Sequence, residues 1–300
     1  MIVAGLHLLW SYKCIYECDH CFAWGSPRQE GTFTLAQLDE ILDQADDLGT
    51  IEWFYFEGGE PFLFYATLLR AVQRVRRRGY KCGLVSNAYW ATSEDDAIET
   101  LGPFAGLVDD LSLSSDLYHS DRVMDEQIQY ATSAAEKLGI PVGTITIAQP
   151  EDANGGAKGQ LPRSEIGVMY RGRAAEKLID RAGRQPWDSF TECPHEELRD
   201  PGRLHIDPLG NVHLCQGLSI GNLFSTPLDK IISTFDPDNH PIVGPLLRGG
   251  PAELVRHYNV THDDSYADAC HLCFDARCKL RGRFPEILTP EQMYGVPETD

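Results

Sequence analysis

From residue 34 to about residue 182, segments with a helical period alternate with short apolar runs almost without interruption. That alternation is the pattern of strand-helix-strand units around a parallel sheet. TLAQLDEILDQADDLG sets Leu35, Leu38, Ile41, Leu42 and Ala45 on one helical stripe, opened by a Thr34 cap and closed by Gly49. An aromatic strand, IEWFYFEGGEP, follows and is cut off by glycines. YATLLRAVQRVRRRG and YKCGLVSNAYW form the next helix and strand, and SEDDAIETLGPF with VDDLSLSSD a third pair. RVMDEQIQYATSAAEKLG and IPVGTITIAQ make a fourth; after the Gly/Pro-rich loop PEDANGGAKGQLP come a strand, EIGVMY, and a helix from Arg173 to Ala182. With an opening strand over residues 2-10, six strands are expected. A right-handed succession of such units gives a barrel or an open curved sheet, with functional loops beyond the carboxyl ends of the strands.

After about residue 185 the character changes: HIDPLGNVHLC and GLSIGNL read as a short hairpin, and the remainder as loops and brief helices rich in Pro, Asp, His and Cys. We place a boundary near 185-192, giving expected domains of 1-185 and 186-300. The formal net charge of -19 over 300 residues argues against nucleic acid or an anionic membrane surface as the partner. MIVAGLHLLWSYK has no basic leading region, and no run of 18 apolar residues occurs, so a cytoplasmic protein is expected. The acidic runs at 43-47 and 94-96 read as a solvated helix face and a helix N-terminus.

Nine cysteines in a reducing compartment are expected to be thiols, which makes metal binding or catalysis the default for any that cluster. Cys82 stands alone in a strand as a small core residue. Cys14, Cys18 and Cys21 share the loop after strand one, on the reactive face, and five more come late, at Cys193, Cys215, Cys270, Cys273 and Cys278. Three thiolates leave one iron of a 4Fe-4S cube free, whereas a closed electron-transfer site gives each iron its own. The alternative is a tetrahedral zinc held by Cys14, Cys18, Cys21 and His20 or another fourth ligand.

CIYECDHC resembles the cluster motif of the radical S-adenosylmethionine (radical SAM) superfamily, with His20 where that family usually has an aromatic. Paired glycines at a strand end let backbone approach a ligand closely, and a following carboxylate can receive an ammonium group. The resemblance gives Gly58, Gly59, Glu60 and Pro61 of FEGGEP the task of holding the SAM amino group. It also implies SAM-contacting positions at Ser86 and Asn87 of LVSNA and at Ser114, Asp116 and His119 of LSLSSDLYH, with Tyr118 beside them. Gly143 and Ile145 of PVGTITIAQ are similar to an adenine-contacting segment. Arg173 of MYRGRAAE is a candidate for the SAM carboxylate or a simple helix start. The family fold is a partial (β/α)6 barrel, and its cofactors are a three-cysteine [4Fe-4S] cluster and SAM. Reductive cleavage of SAM gives methionine and a 5'-deoxyadenosyl radical that removes a hydrogen atom from substrate, the cofactors carrying the chemistry and the protein positioning them. A flavodoxin, ferredoxin or reductase would donate the electron.

The late cysteines, on Gly210-x4-Cys215 and Cys270-x2-Cys273-x4-Cys278 with Cys193 before them, resemble a twitch or shortened SPASM extension of that superfamily. Five thiols are too few for two fully ligated clusters, so one auxiliary [4Fe-4S] cluster on Cys193, Cys215, Cys270 and Cys273 is expected. Cys278 is left as an alternative ligand, a buried bystander, or a catalytic thiol donating a hydrogen atom to a substrate radical. CHLCFDARC alone would also suit a zinc knuckle. The histidines at 195, 205, 213, 257, 262 and 271 read mostly as surface or hydrogen-bonding groups. The reading is thus an oxidoreductase acting on a small molecule or a peptide. The alternatives are a maturase that crosslinks, epimerises or decarboxylates a ribosomally made peptide, its leader recognised by a separate protein, and a non-catalytic zinc protein.

Overall fold

The computed structural model describes residues 1–119, 125–151 and 165–296. Most of the loop expected at 150-162 lies outside them. Six strands run parallel in chain order: β1 (Gly5–Ser11), β2 (Trp53–Gly58), β3 (Lys81–Ser86), β4 (Asp110–Ser114), β5 (Val142–Ile147) and β6 (Glu165–Ile166). Their crossovers carry α1 (Leu35–Leu48), α2 (Tyr65–Arg77), α3 (Glu94–Leu101) and α4 (Glu126–Lys137). The strands are short apolar runs because helices cover the sheet: Leu6, Leu8, Leu9, Phe54, Phe56, Leu84, Leu111 and Leu113 are buried. α1 begins in a capping box, Thr34 accepting from the Gln37 N–H while the Gln37 side chain accepts from the Thr34 N–H, and ends on left-handed Gly49 at φ 69°. The acidic run 94–96 forms the first turn of α3 behind the Ser93 cap.

Two expectations shorten. Of EIGVMY, only Glu165 and Ile166 pair with β5. The helix expected from Arg173 to Ala182 is one turn, α5 (Ala174–Lys177), followed by a 3-10 turn at Ile179–Arg181. The reason lies just upstream, where Gly172 adopts φ 59° and the Arg173 N–H is spent on Cys21 O at 2.9 Å.

The sheet does not stop at the expected boundary. After a small ribbon of β7 (Gln185–Pro186) with β11 (Ser265–Tyr266), β8 (Arg203–Ile206) pairs parallel to the outer edge of β1, placing His205 beside His7. β9 (Asn211–Cys215) and β10 (Leu218–Asn222) add antiparallel, so the hairpin read in the sequence is a three-strand meander. The order is β10-β9-β8-β1-β2-β3-β4-β5-β6, an open sheet with β6 and β10 at its edges. The chain then forms α6 (Leu228–Thr234), α7 (Val243–Tyr258), kinked at Gly249, Gly250 and Pro251, and α8 (Ala269–Leu280). The C-terminal region is therefore more helical than the loops and brief helices expected. Among the described residues, no helix is long and apolar enough to cross a membrane.

Candidate active site and a second cysteine site

The loop after β1 carries Cys14 and Cys18 buried and Cys21 half-buried. N–H groups point at the sulfurs: Tyr16 N and Asn87 Nδ2 lie 3.5 and 3.6 Å from Cys14 Sγ, and Gly25 N lies 3.3 Å from Cys21 Sγ. Burial pushes the Cys14 thiol up to about 11 and the Cys18 thiol higher still, so these groups lose their protons only beside a strong positive partner such as a metal. A single zinc would draw its sulfurs to within about 3.8 Å of one another, the edge of a tetrahedron with 2.3 Å bonds. The sets of three or more His, Cys, Asp and Glu ligand atoms that lie within 4.8 Å of one another include none built from these three sulfurs, among the described residues. The wider spread suits a larger cluster.

The three cysteines open onto a cavity of about 290 Å³ at the carboxyl ends of β1–β5. His20, Gly58, Gly59, Ser86, Asn87, Ser114, Asp116, His119 and Ile145 all line it, so most of the residues that the resemblance singles out converge on one space. Glu60, Pro61, Tyr118, Gly143 and Arg173 do not line it. Gly143 is exposed on β5. Pro61 is buried at the start of a 3-10 turn behind the cavity.

Glu60 is fully buried, and its carboxylate is engaged by three donors of the protein. It accepts from Phe62 N at 3.0 Å, Ser86 Oγ at 3.0 Å and Asn87 N at 2.8 Å. The expected ammonium receptor is thus a clamp between the ends of β2 and β3, and burial raises it to about 7 despite those three donors. Arg173 likewise serves the chain: its Nη1 and Nη2 each donate at 2.8 Å, to Cys18 O and Gly25 O. It holds the cysteine loop and does not face the cavity.

The paired glycines also act differently from expectation. A Cβ on Gly58 (φ 127°) would meet Ser11 O at 2.5 Å, and one on Gly59 would meet Lys13 O at 2.2 Å. What they admit closely is the backbone of the cysteine loop, with Gly59 N donating to Ser11 O at 2.6 Å and Glu60 N to Lys13 O at 2.9 Å.

On the far wall, buried Asp116 accepts from His119 Nδ1 at 2.8 Å and from Tyr118 N at 3.0 Å, and His20 Nε2 stands 4.0 Å away. Burial opposes ionisation of Asp116, but the hydrogen bond from His119 outweighs it and holds the carboxyl below its usual range. Burial also lowers His20 to about 4, so His20 is a neutral imidazole at neutral pH.

Sequence reasoning missed Glu57 and Arg171, which line the same cavity. Burial would raise Glu57, yet the facing imidazoles of His205, whose Nε2 lies 3.2 Å from the carboxylate, and of His7, whose Nδ1 lies 3.4 Å from it, win and keep it ionised. The available signal was periodicity: His7 and Glu57 are polar inward positions in otherwise apolar strands.

Cys193, Cys215, Cys270 and Cys273 line a second cavity. Cys270 and Cys273 stand one turn apart on α8 and share one face. Cys278 does not line either cavity; five residues beyond Cys273 on the helix, it points away from that face. Two buried guanidiniums, Arg171 and Arg277, also line the second cavity, and the Nε of each lacks a partner. Such cations fit an anionic centre, which four thiolates around a metal supply. His271 bonds Ala267 N through Nδ1 and packs on Tyr266, so it is a hydrogen-bonding group. His213 is bound to Asp207 at 3.1 Å.

A family model described as a 4Fe-4S single cluster domain matches residues 5–110. YydG of Bacillus subtilis (strain 168), named for a role in peptide biosynthesis, is 28% identical over 118 residues; the match covers 39% of this chain and 37% of that protein. Among solved structures, Streptococcus suis SuiB bound to its precursor peptide SuiA superposes with a TM-score of 0.55 at 14% identity, covering 90% of this chain and 76% of SuiB. Native anSMEcpe with bound AdoMet gives a TM-score of 0.55 at 13% identity, covering 94% of this chain and 97% of the other. The cysteine loop at the end of β1 falls inside the matched 4Fe-4S region, and the six parallel strands behind it share the fold of these solved structures.

Proposed function

We propose that Cys14, Cys18 and Cys21 hold a [4Fe-4S] cluster, that SAM occupies the adjoining cavity, and that the chain abstracts a hydrogen atom from a peptide substrate. When bound, the cluster supplies the electron that cleaves SAM to a 5'-deoxyadenosyl radical. The protein's part is placement. Gly58 and Gly59 seat the cysteine loop against β2, Glu60 fixes Ser86 and Asn87 beside the sulfurs, and Asp116 with His119 supplies polar contacts on the opposite wall. The observation that carries this reading is the convergence of the three thiols and the residues from four strand ends on one cavity. A peptide is favoured over a small molecule by the likeness to YydG and to peptide-bound SuiB. We further propose that residues 186-300 form a twitch-like unit whose Cys193, Cys215, Cys270 and Cys273 hold a second [4Fe-4S] cluster, suited to accept an electron in a net oxidation.

The test is metal analysis after anaerobic purification, followed by reduction with dithionite in the presence of SAM. About eight irons per chain and formation of 5'-deoxyadenosine, abolished in Cys18→Ala, support the reading. About four irons would remove the second cluster, and zinc alone would defeat the proposal.

A further inference from the structure

Four consecutive residues, Tyr170 to Arg173, touch both cysteine sites. Tyr170 N donates to Asp268, the cap of the helix that carries Cys270 and Cys273, at 3.2 Å. Arg171 Nη1 donates to Cys215 Sγ at 3.0 Å. Gly172 lies against the backbone of Cys21 and Phe22 so closely that a Cβ would come within 2.5 Å of Phe22 Cα, and Arg173 grips Cys18 O and Gly25 O. Arg171 is the pivot, since it lines both cavities while only 6% exposed.

We propose that Arg171 is a positioning residue that sets the reduction potential of the cluster at the four-sulfur site and ties that site to the SAM cavity. This rests on the second-cluster reading above. A buried cation donating a hydrogen bond to a cluster sulfur stabilises the more negative, reduced state and raises the potential. The charge is only partly offset. Glu196 approaches at 3.7 Å but is shared with Arg203 at 3.4 Å, and the other groups facing Arg171 are Cys215, Cys270 and the like-charged Arg277. Arg277 spends its Nη1 on Gln216 O at 3.1 Å and is stacked over Tyr294, so the direct donor to sulfur is Arg171. Because Arg171 also forms part of the first cavity's wall, a molecule entering that cavity meets the residue that controls the second site.

Wild type, Arg171→Lys and Arg171→Met, purified anaerobically, are titrated redox-potentiometrically with electron paramagnetic resonance detection, each with its iron counted. The second cluster's midpoint should move to lower potential in Arg171→Met and by less in Arg171→Lys, while the first cluster's midpoint stays fixed. An unshifted second midpoint at full iron content, both midpoints moving together, or loss of the second cluster's iron in both variants would each overturn the inference. Should Arg171→Met alone lose that iron, the midpoint of Arg171→Lys decides. If instead wild type carries one cluster and Cys273→Ser loses no iron, it is the second-cluster reading that fails.

Discussion

The Glu60 carboxylate receives the backbone N–H of Asn87 at 2.8 Å, and Asn87 in turn aims its Nδ2 at Cys14 Sγ from 3.6 Å. One buried acid thus registers the end of β3 to a cysteine of the loop after β1. Its protonation should be visible in stability. The folded-state value near 7 lies above the usual 4.3 of an exposed glutamate, so Glu60 favours folding most below about pH 4.3, and that contribution fades as pH rises to about 7. Measured by urea unfolding, the stability of wild type relative to Glu60→Gln should fall by at most about 3 kcal/mol between pH 4.5 and 8. A difference that stays flat across this window would show that the carboxylate does not titrate there.

Gly59→Ala places a methyl group on Lys13 O, a contact the loop can relieve only by moving. We expect a loss on the order of 2–4 kcal/mol in urea unfolding and a loss of the first cluster's iron. A variant with wild-type stability and iron content would mean that the loop is free to shift.

Arg173→Ala removes two charge-assisted hydrogen bonds to loop carbonyls. The expected outcome is a destabilisation of about 1.5–3 kcal/mol with partial loss of the first cluster's iron. SAM affinity per loaded cluster, measured by equilibrium dialysis, should stay within about twofold, below the roughly 1.4 kcal/mol of a tenfold change. A tenfold weaker Kd at full iron loading would return Arg173 to the role of a SAM carboxylate ligand.

Cys278→Ser should leave iron content and both clusters' electron paramagnetic resonance signals unchanged, because Cys278 lines neither cavity. Cys273→Ser should remove about four irons. Equal losses from the two variants would make Cys278 a ligand.

The parallel sheet and the α1 cap were legible because strand periodicity and turn chemistry are local properties, whereas Ser86, Asn87, Ser114, Asp116 and Ile145 were singled out by the family resemblance. The tasks of Glu60 and Arg173 were not: each acts across at least 26 positions of chain, on Ser86 in one case and on the cysteine loop in the other. A motif names residue types without naming their partners. Arg171 escaped notice for the same reason, since its partner Cys215 sits 44 residues downstream. The pairing of β8 with β1 is equally non-local, and α8 was obscured by cysteines whose spacing also suits a zinc loop.

That pairing makes β1 an interior strand, walled by β2 on one side and by a segment some two hundred residues later on the other. A chain cut before β8 would bare the polar backbone along Gly5–Leu8, flanked by buried leucines, and such an unguarded flank invites self-association. β1 therefore waits for about two hundred further residues before its outer rim is sealed, and until then the cysteine loop it carries stands against an unfinished wall.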